Sequence, residues 1–121
     1  MIGIGVDLVE IDRFRIALER TPGLVDRVFT EDEQAYALRK RDPTERFAVR
    51  FAAKEAVLKA MGVGIGAVRL RDIEIERAES GRPSIVLHGT AADLALERGV
   101  TDWLLTMTHT ASMAEAIAVA R

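Results

Sequence analysis

Phe51-Ala52-Ala53-Lys54-Glu55-Ala56-Val57-Leu58-Lys59 is the stretch that decides how this chain is read. Alanine, leucine, glutamate and lysine make it a strong helix former. At about 100° per residue, Phe47, Phe51 and Leu58 fall within about 40° of one another, so the helix has an apolar stripe. Glu55 lies only about 40° from Phe51, on the edge of that stripe. A carboxylate turned toward a core is costly unless a cation, a metal or several donors satisfy it. Glu55 is therefore a candidate site residue, with Lys59 one turn further along beside it. Arg41-Asp42-Pro43-Thr44 breaks the chain upstream and Gly62 is a natural stop, which predicts a long helix from about Thr44 to Met61.

The amino terminus reads as a strand. Ile2, Ile4, Val6 and Leu8 alternate with Gly3, Gly5 and Asp7. One face is apolar; the other carries no side chain until Asp7, so a helix, another subunit or a ligand can approach its backbone closely. A helix is expected from Ile11 to about Arg20, ended by Thr21-Pro22-Gly23. Thr30-Glu31-Asp32-Glu33 has the form of a capping box and predicts a helix through about Lys40. Gly62, Gly64 and Gly66 make a loop that is by itself a weak phosphate-binding signal, because no strand precedes it directly.

Downstream the period changes. Ile73 and Ile75 alternate with Asp72, Glu74 and Glu76; a turn at Ser80-Gly81-Arg82-Pro83 returns the chain through Ser84 to His88, predicting an antiparallel hairpin. Thr90 can cap a short helix through about Arg98. Trp103, Leu105, Met107 and His109 share one face of a further strand, and Ala114 to Ala120 form the last. Helices early and strands late make the class α+β, with a mainly antiparallel sheet packed around the long helix. The 121 residues form one domain, 1–121, with no internal repeat or linker.

Composition narrows the function. There is no cysteine, hence no disulfide framework, thiolate metal site or thiol nucleophile. No apolar stretch approaches a membrane span and no signal peptide is visible, so the cytoplasm is the expected compartment. A net charge of −2 argues against a general nucleic-acid binder. The charge is uneven, however. Between residues 39 and 59, Arg39, Lys40, Arg41, Arg46, Arg50, Lys54 and Lys59 outnumber Asp42, Glu45 and Glu55. A basic region on an acidic chain suits an anionic ligand, or is simply a solvated helix face.

No Ser-His-Asp constellation is legible, and the two histidines lack helical metal spacing, which argues against zinc. Oxygen ligands from Asp7 and Glu55 suit magnesium, which is commonly held by one or two carboxylates, waters and substrate phosphates. Lys54, Lys59 and nearby arginines can hold further phosphate charge. Together these are parts for phosphoryl-type transfer. The same residues also fit ordinary surface ion pairs, and His109 fits a structural histidine at the end of an apolar strand face.

Gly3-Ile4-Gly5-Val6-Asp7-Leu8, then Arg50-Phe51-Ala52-Ala53-Lys54-Glu55-Ala56 with Lys59 and Gly62, then Thr106-Met107-Thr108-His109-Thr110, resemble the holo-[acyl-carrier-protein] synthase family, the short members of the 4′-phosphopantetheinyl transferase superfamily. The resemblance runs over the whole chain. It implies the fold of that superfamily and transfer of 4′-phosphopantetheine from coenzyme A to a serine of apo-acyl carrier protein, releasing adenosine 3′,5′-bisphosphate. It implies Asp7 and Glu55 as magnesium ligands and Lys59 as a pyrophosphate contact. Arg50, Lys54 and His109, with Thr110 beside it, match positions near the nucleotide and its 3′-phosphate, and Gly62 and Gly64 match the loop next to it. It further implies a homotrimer with active sites between subunits, and a carrier-docking first helix. There Arg13 matches the basic anchor, Arg20 lies near another, and Leu24 sits at an apolar contact. Asp12, Glu19 and Asp26 depart from that pattern by diluting the positive charge. Fatty-acid carrier protein is the expected partner, which would place the chain in lipid metabolism, with a polyketide carrier as the alternative. A magnesium-dependent nucleotide pyrophosphate hydrolase and a non-catalytic module binding coenzyme A or acidic helices are the competing readings.

Overall fold

In the computed structural model, which describes residues 2–121, the chain folds around the long helix predicted from the sequence. The elements run β1 (Gly3–Glu10), α1 (Ile11–Arg20), α2 (Leu24–Val28), α3 (Glu31–Ala37), α4 (Thr44–Ala60), β2 (Ile73–Arg77), β3 (Pro83–Leu87), α5 (Gly89–Glu97), β4 (Trp103–His109) and β5 (Met113–Ala120). A 3-10 turn, Leu70–Asp72, leads into β2. The strands form two antiparallel sheets, one of order β1-β5-β4 and one of β2 with β3. Helix α4 packs against both.

Helix α4 is buried nearly all round; in its last three turns only Lys59 is exposed. Met61 caps it, and Gly62 follows with φ +77°, the left-handed conformation that ends helices at low cost when the residue is glycine. The alanines of α4 meet an alanine face on β5, where Ala114, Ala116, Ala118 and Ala120 are buried. Gly3 and Gly5 answer the question left by β1. A side-chain carbon on Gly3 would overlap the Ala60 carbonyl oxygen, and one on Gly5 that of Ala56. The glycines let the helix backbone lie directly on the strand, and this contact carries Asp7 to the side of Glu55 and Lys59.

The apolar face of β1 therefore points away from the core. Ile4, Val6 and Leu8 are 59%, 51% and 57% exposed. Register places Ile4 beside Val119 and Val6 beside Ile117, with Leu104 and Thr106 across the sheet from the same two residues. The outer face of the three-stranded sheet is thus a continuous apolar patch of the kind that marks an interaction surface.

Several local expectations are adjusted. Helix α3 keeps its capping box, with Thr30 Oγ1 accepting from Glu33 N and Glu33 Oε1 accepting from Thr30 N, but ends at Ala37 rather than Lys40. Its end tightens into i→i+3 bonds: Arg39 N donates to Tyr36 O and Lys40 N to Ala37 O. Helix α5 starts at Gly89, with His88 at its cap position; Thr90 is inside it, its N–H and hydroxyl both donating to Asp72. The short α2 was not anticipated, since five residues are too few for periodicity to register.

Candidate active site

Three residues implied by the sequence meet at the junction of β1 and α4. Asp7 is the residue at which the glycine track of β1 ends, and Glu55 and Lys59 occupy successive turns of α4. Lys59 Nζ donates to Asp7 Oδ1 at 3.0 Å and to the Val6 carbonyl at 2.9 Å. Burial raises the Glu55 carboxyl above the ordinary glutamate range; the neighbouring Asp7 charge pushes it further up, and Lys59 draws it partly back. A half-buried carboxyl raised by burial and by a neighbouring carboxylate, with a single ammonium beside it, marks a site with unsatisfied demand for positive charge. Among the described residues no group of three or more His, Cys, Asp and Glu side chains gathers to hold a metal. A pair of carboxylates suits magnesium, which keeps its waters and takes substrate phosphates, better than an all-protein cage.

Asp7 and Glu55 open onto a cavity of about 560 Å³ whose walls include Phe14, Phe51, Leu24 and Met113. Arg13, from α1, lines it too. The two proposed carrier contacts Arg13 and Leu24 therefore share one opening with the carboxylates, brought there by the tilted stacking of Phe14 on Phe51 at 5.1 Å between α1 and α4. Arg20 is exposed at the far end of α1 and does not line this cavity. Asp12, which weakens the positive charge of α1, is itself paired with Arg15 at 2.8 Å.

Lys54 differs from the sequence expectation. The resemblance implies a nucleotide contact, yet its side chain is 0% exposed. Its ammonium donates to Glu33 Oε1 at 2.8 Å, to Leu70 O at 3.0 Å and to Ile73 O. An ammonium has three protons, and all three are used inside the fold. The helical step is the reason: Lys54 stands about 100° around α4 from Glu55 and faces α3 and β2 instead of β1. Burial pulls its pKa down, against the opposing pull of Glu33.

Arg50, from the second turn of α4, and His109, at the end of β4, come together elsewhere. They line a second cavity of about 190 Å³ with Lys40, Arg46, Arg77 and Tyr36. His109 Nε2 lies 3.3 Å from Glu45 Oε1. The Tyr36 ring is the centre of this cluster: the guanidiniums of Arg46 and Arg50 sit 4.1 and 4.4 Å from its centroid, those of Arg39 and Arg77 5.7 and 5.8 Å. Burial raises the phenol pKa, but Arg77, Arg46 and Arg50 together outweigh it and leave the group below the ordinary range. Sequence reasoning missed Tyr36 and Arg77, which are far apart in the chain; the only signal was the excess of basic residues from Arg39 onward. Thr110, expected beside the nucleotide, turns its hydroxyl to the backbone N–H groups of Ser112 and Met113 and shapes the β4–β5 turn. Gly62 and Gly64 lie in the exposed loop that follows α4.

Residues 3–117 match the model of the 4′-phosphopantetheinyl transferase superfamily. The chain is 44% identical over 119 residues to the holo-[acyl-carrier-protein] synthase of Moorella thermoacetica, covering 98% of this chain and 93% of the relative. The chain belongs to the holo-[acyl-carrier-protein] synthase family. Solved structures share its fold. That of the Neisseria meningitidis synthase superposes with a TM-score of 0.89 at 32% identity, covering 100% of this chain and 98% of that one. That of the Helicobacter pylori synthase, in complex with coenzyme A, gives 0.85 at 28% identity, covering 98% and 99%. The α+β fold expected from the resemblance is thus the fold of the family, with its antiparallel strands divided between two sheets.

Proposed function

We propose that the protein transfers the 4′-phosphopantetheine arm of coenzyme A to a serine of an apo-acyl carrier protein, with magnesium as cofactor. The observation that carries the reading is that Asp7 and Glu55 open onto the cavity that also holds Arg13 and Leu24, with Lys59 bonded to Asp7 beside them. Asp7 and Glu55 would hold the metal; burial, and after it the Asp7 charge, raise Glu55, and a divalent cation would offset both. Bound there, magnesium would neutralise charge on the coenzyme A pyrophosphate. Lys59 is the cation that this chain itself brings to that pyrophosphate. The serine oxygen forms a bond to the β-phosphorus as the bond to adenosine 3′,5′-bisphosphate breaks, and the hydroxyl proton passes to a carboxylate of the pair. Arg50 and His109 would receive the 3′-phosphate of coenzyme A.

Two observations support a homotrimer with sites between subunits. The outer sheet face exposes Ile4, Val6, Leu8 and Leu104 to solvent in a single protomer. In addition, Asp7 and His109 lie on β1 and β4, the opposite edges of the sheet, about 10 Å apart across β5 at ordinary strand spacing. A head-to-tail ring joins two different surfaces and so can bring the carboxylates of one protomer to the cations of the next. A second copy of this chain is the occupant that suits both facts. No helix of the described residues is long and apolar enough to cross a membrane. The proposed partner is a fatty-acid carrier protein and the proposed compartment the cytoplasm.

Release of adenosine 3′,5′-bisphosphate, followed with and without apo-carrier and with and without magnesium, tests the reading. Release that needs both supports transfer. Release without carrier would instead identify a pyrophosphate hydrolase.

A further inference from the structure

The arginine cluster on Tyr36 raises a physical question that the transfer chemistry does not answer. Four guanidiniums surround one ring, and among the described residues none of the four is within ion-pair distance of a carboxylate. Glu33, the nearby buried acid, is committed to Lys54. Glu45 is shared between Lys40 and His109, both at 3.3 Å. Arg50 is 3% exposed; its Nη1 donates to the Arg46 carbonyl at 3.3 Å, but its Nε has no hydrogen-bond partner. Burying a guanidinium N–H without an acceptor is costly, and no carboxylate answers the cluster's charge, so the cluster suits an acceptor that arrives from outside the chain.

What holds the cations in place without that acceptor is the ring. Arg46 and Arg50 lie over it within 4.4 Å, and Arg77 donates to its hydroxyl at 2.9 Å. An aromatic face attracts a guanidinium while leaving its N–H edge free, because the attraction acts on the cation's plane and consumes no donor. A carboxylate in the same place would occupy the donors and cancel the charge. Tyr36 thereby concentrates positive charge and keeps it available. The cavity that the cluster lines ends at His109, and a neighbouring cavity of about 260 Å³ shares Val49, Arg77, Met107 and His109 with it.

We infer that Tyr36 is a positioning residue that presents Arg46 and Arg50 to a phosphate monoester, and so sets the preference for coenzyme A over its 3′-dephospho form. The inference rests on the reading of Arg50 and His109 as the 3′-phosphate site. Arg46 also donates to the Tyr36 backbone carbonyl at 2.7 Å, a contact that any side chain at this position retains, so substitution isolates the contribution of the ring.

The experiment measures KM and kcat for coenzyme A and for 3′-dephospho-coenzyme A with the wild type, Tyr36→Leu and Tyr36→Phe, with thermal melting as the folding control. The expected result is that Tyr36→Leu raises KM for coenzyme A roughly tenfold, the size of a desolvated cation–π contact. KM for the dephospho form and both kcat values stay within about twofold, the ring acting on binding and not on chemistry. Tyr36→Phe keeps the ring and restores most of the preference. If Tyr36→Leu does not fold, Arg46→Gln is read instead, and the same narrowing of preference is expected. A Tyr36→Leu enzyme with both KM values raised equally, or an Arg46→Gln enzyme with the wild-type preference, overturns the inference and leaves the 3′-phosphate reading standing. A wild type that does not distinguish the two substrates overturns both.

Discussion

Lys54 and Glu33 form an ion pair sealed within the protein, with Nζ 2.8 Å from Oε1 and side chains 0% and 1% exposed. Glu33 spends its other contacts on backbone N–H groups: Thr30 N donates to Oε1 and Ile75 N to Oε2. One buried pair therefore ties α3, α4 and β2 together beside the helix turn that carries Glu55. Breaking such a pair by removing one partner leaves an uncompensated buried charge, at a cost of about 3–5 kcal/mol. Lys54→Met is expected to lose about that much in denaturant unfolding, while KM for coenzyme A in the protein that remains folded is unchanged. A stable Lys54→Met protein with a raised KM would restore the nucleotide contact that the sequence implied.

Glu55→Gln separates the site from the scaffold. The raised carboxyl pKa means that the folded protein binds more protons at this position than the unfolded chain does, over the interval above the ordinary value of 4.5. Metal-free stability therefore falls as pH rises through that interval. Glu55→Gln removes the effect and is expected to melt higher than the wild type at neutral pH without metal, while losing turnover by at least about a hundredfold. Unchanged turnover would sink the assignment of Glu55.

Asp42 gives stability a second, independent pH dependence, of opposite sign. Hydrogen bonds from Arg15, the larger influence, and from Thr44 hold its pKa at about 2 against an ordinary 3.8. A depressed carboxyl stabilises the fold above its unfolded value and loses that contribution as pH falls through the folded one. Asp42→Asn should be less stable than the wild type near neutrality, with the difference vanishing as pH drops from 3.8 toward about 2 in an acid titration. A difference that persists below that interval would mean the loss is steric.

Arg13→Ala tests the carrier surface. Arg13 is exposed and opens onto the cavity of Asp7 and Glu55. Its removal is expected to raise KM for the carrier roughly five- to tenfold at low salt, with a smaller effect at high salt and none on coenzyme A, as for a charge at an interface rim. Equal changes for both substrates would contradict a docking role.

The outer sheet face predicts assembly. Val6→Glu puts a charge in the middle of the exposed apolar patch, opposite Ile117. Sedimentation should show folded monomers, and turnover should be lost because the two halves of the site no longer meet. Trimers that survive the substitution would remove this face from the interface.

The sequence disclosed those features that one element carries alone. Helix α4, the glycine track of β1, the capping box at Thr30 and the hairpin each have a period or a turn signal of their own. Asp7 and Glu55 were legible as candidates because each stands out from its own pattern. The partner of Lys54 was not, because Glu33 is 21 residues away and its local role in the capping box already accounted for it. The outward direction of Ile4, Val6 and Leu8 was hidden for a related reason: alternation shows that a strand has two faces, and only packing decides which is buried. Here the backbone contact at Gly3 and Gly5 decided it. The Tyr36 cluster draws on α3, α4 and β2, so no window of sequence contains it.

The most direct measurement is the intact mass of an apo-acyl carrier protein incubated with this protein, coenzyme A and magnesium, beside a reaction with Asp7→Ala. The account predicts that the carrier gains the mass of one phosphopantetheine group in the first reaction and that the gain is lost with Asp7→Ala or without the metal. A carrier of unchanged mass while coenzyme A is cleaved, or a full gain with Asp7→Ala, would contradict it.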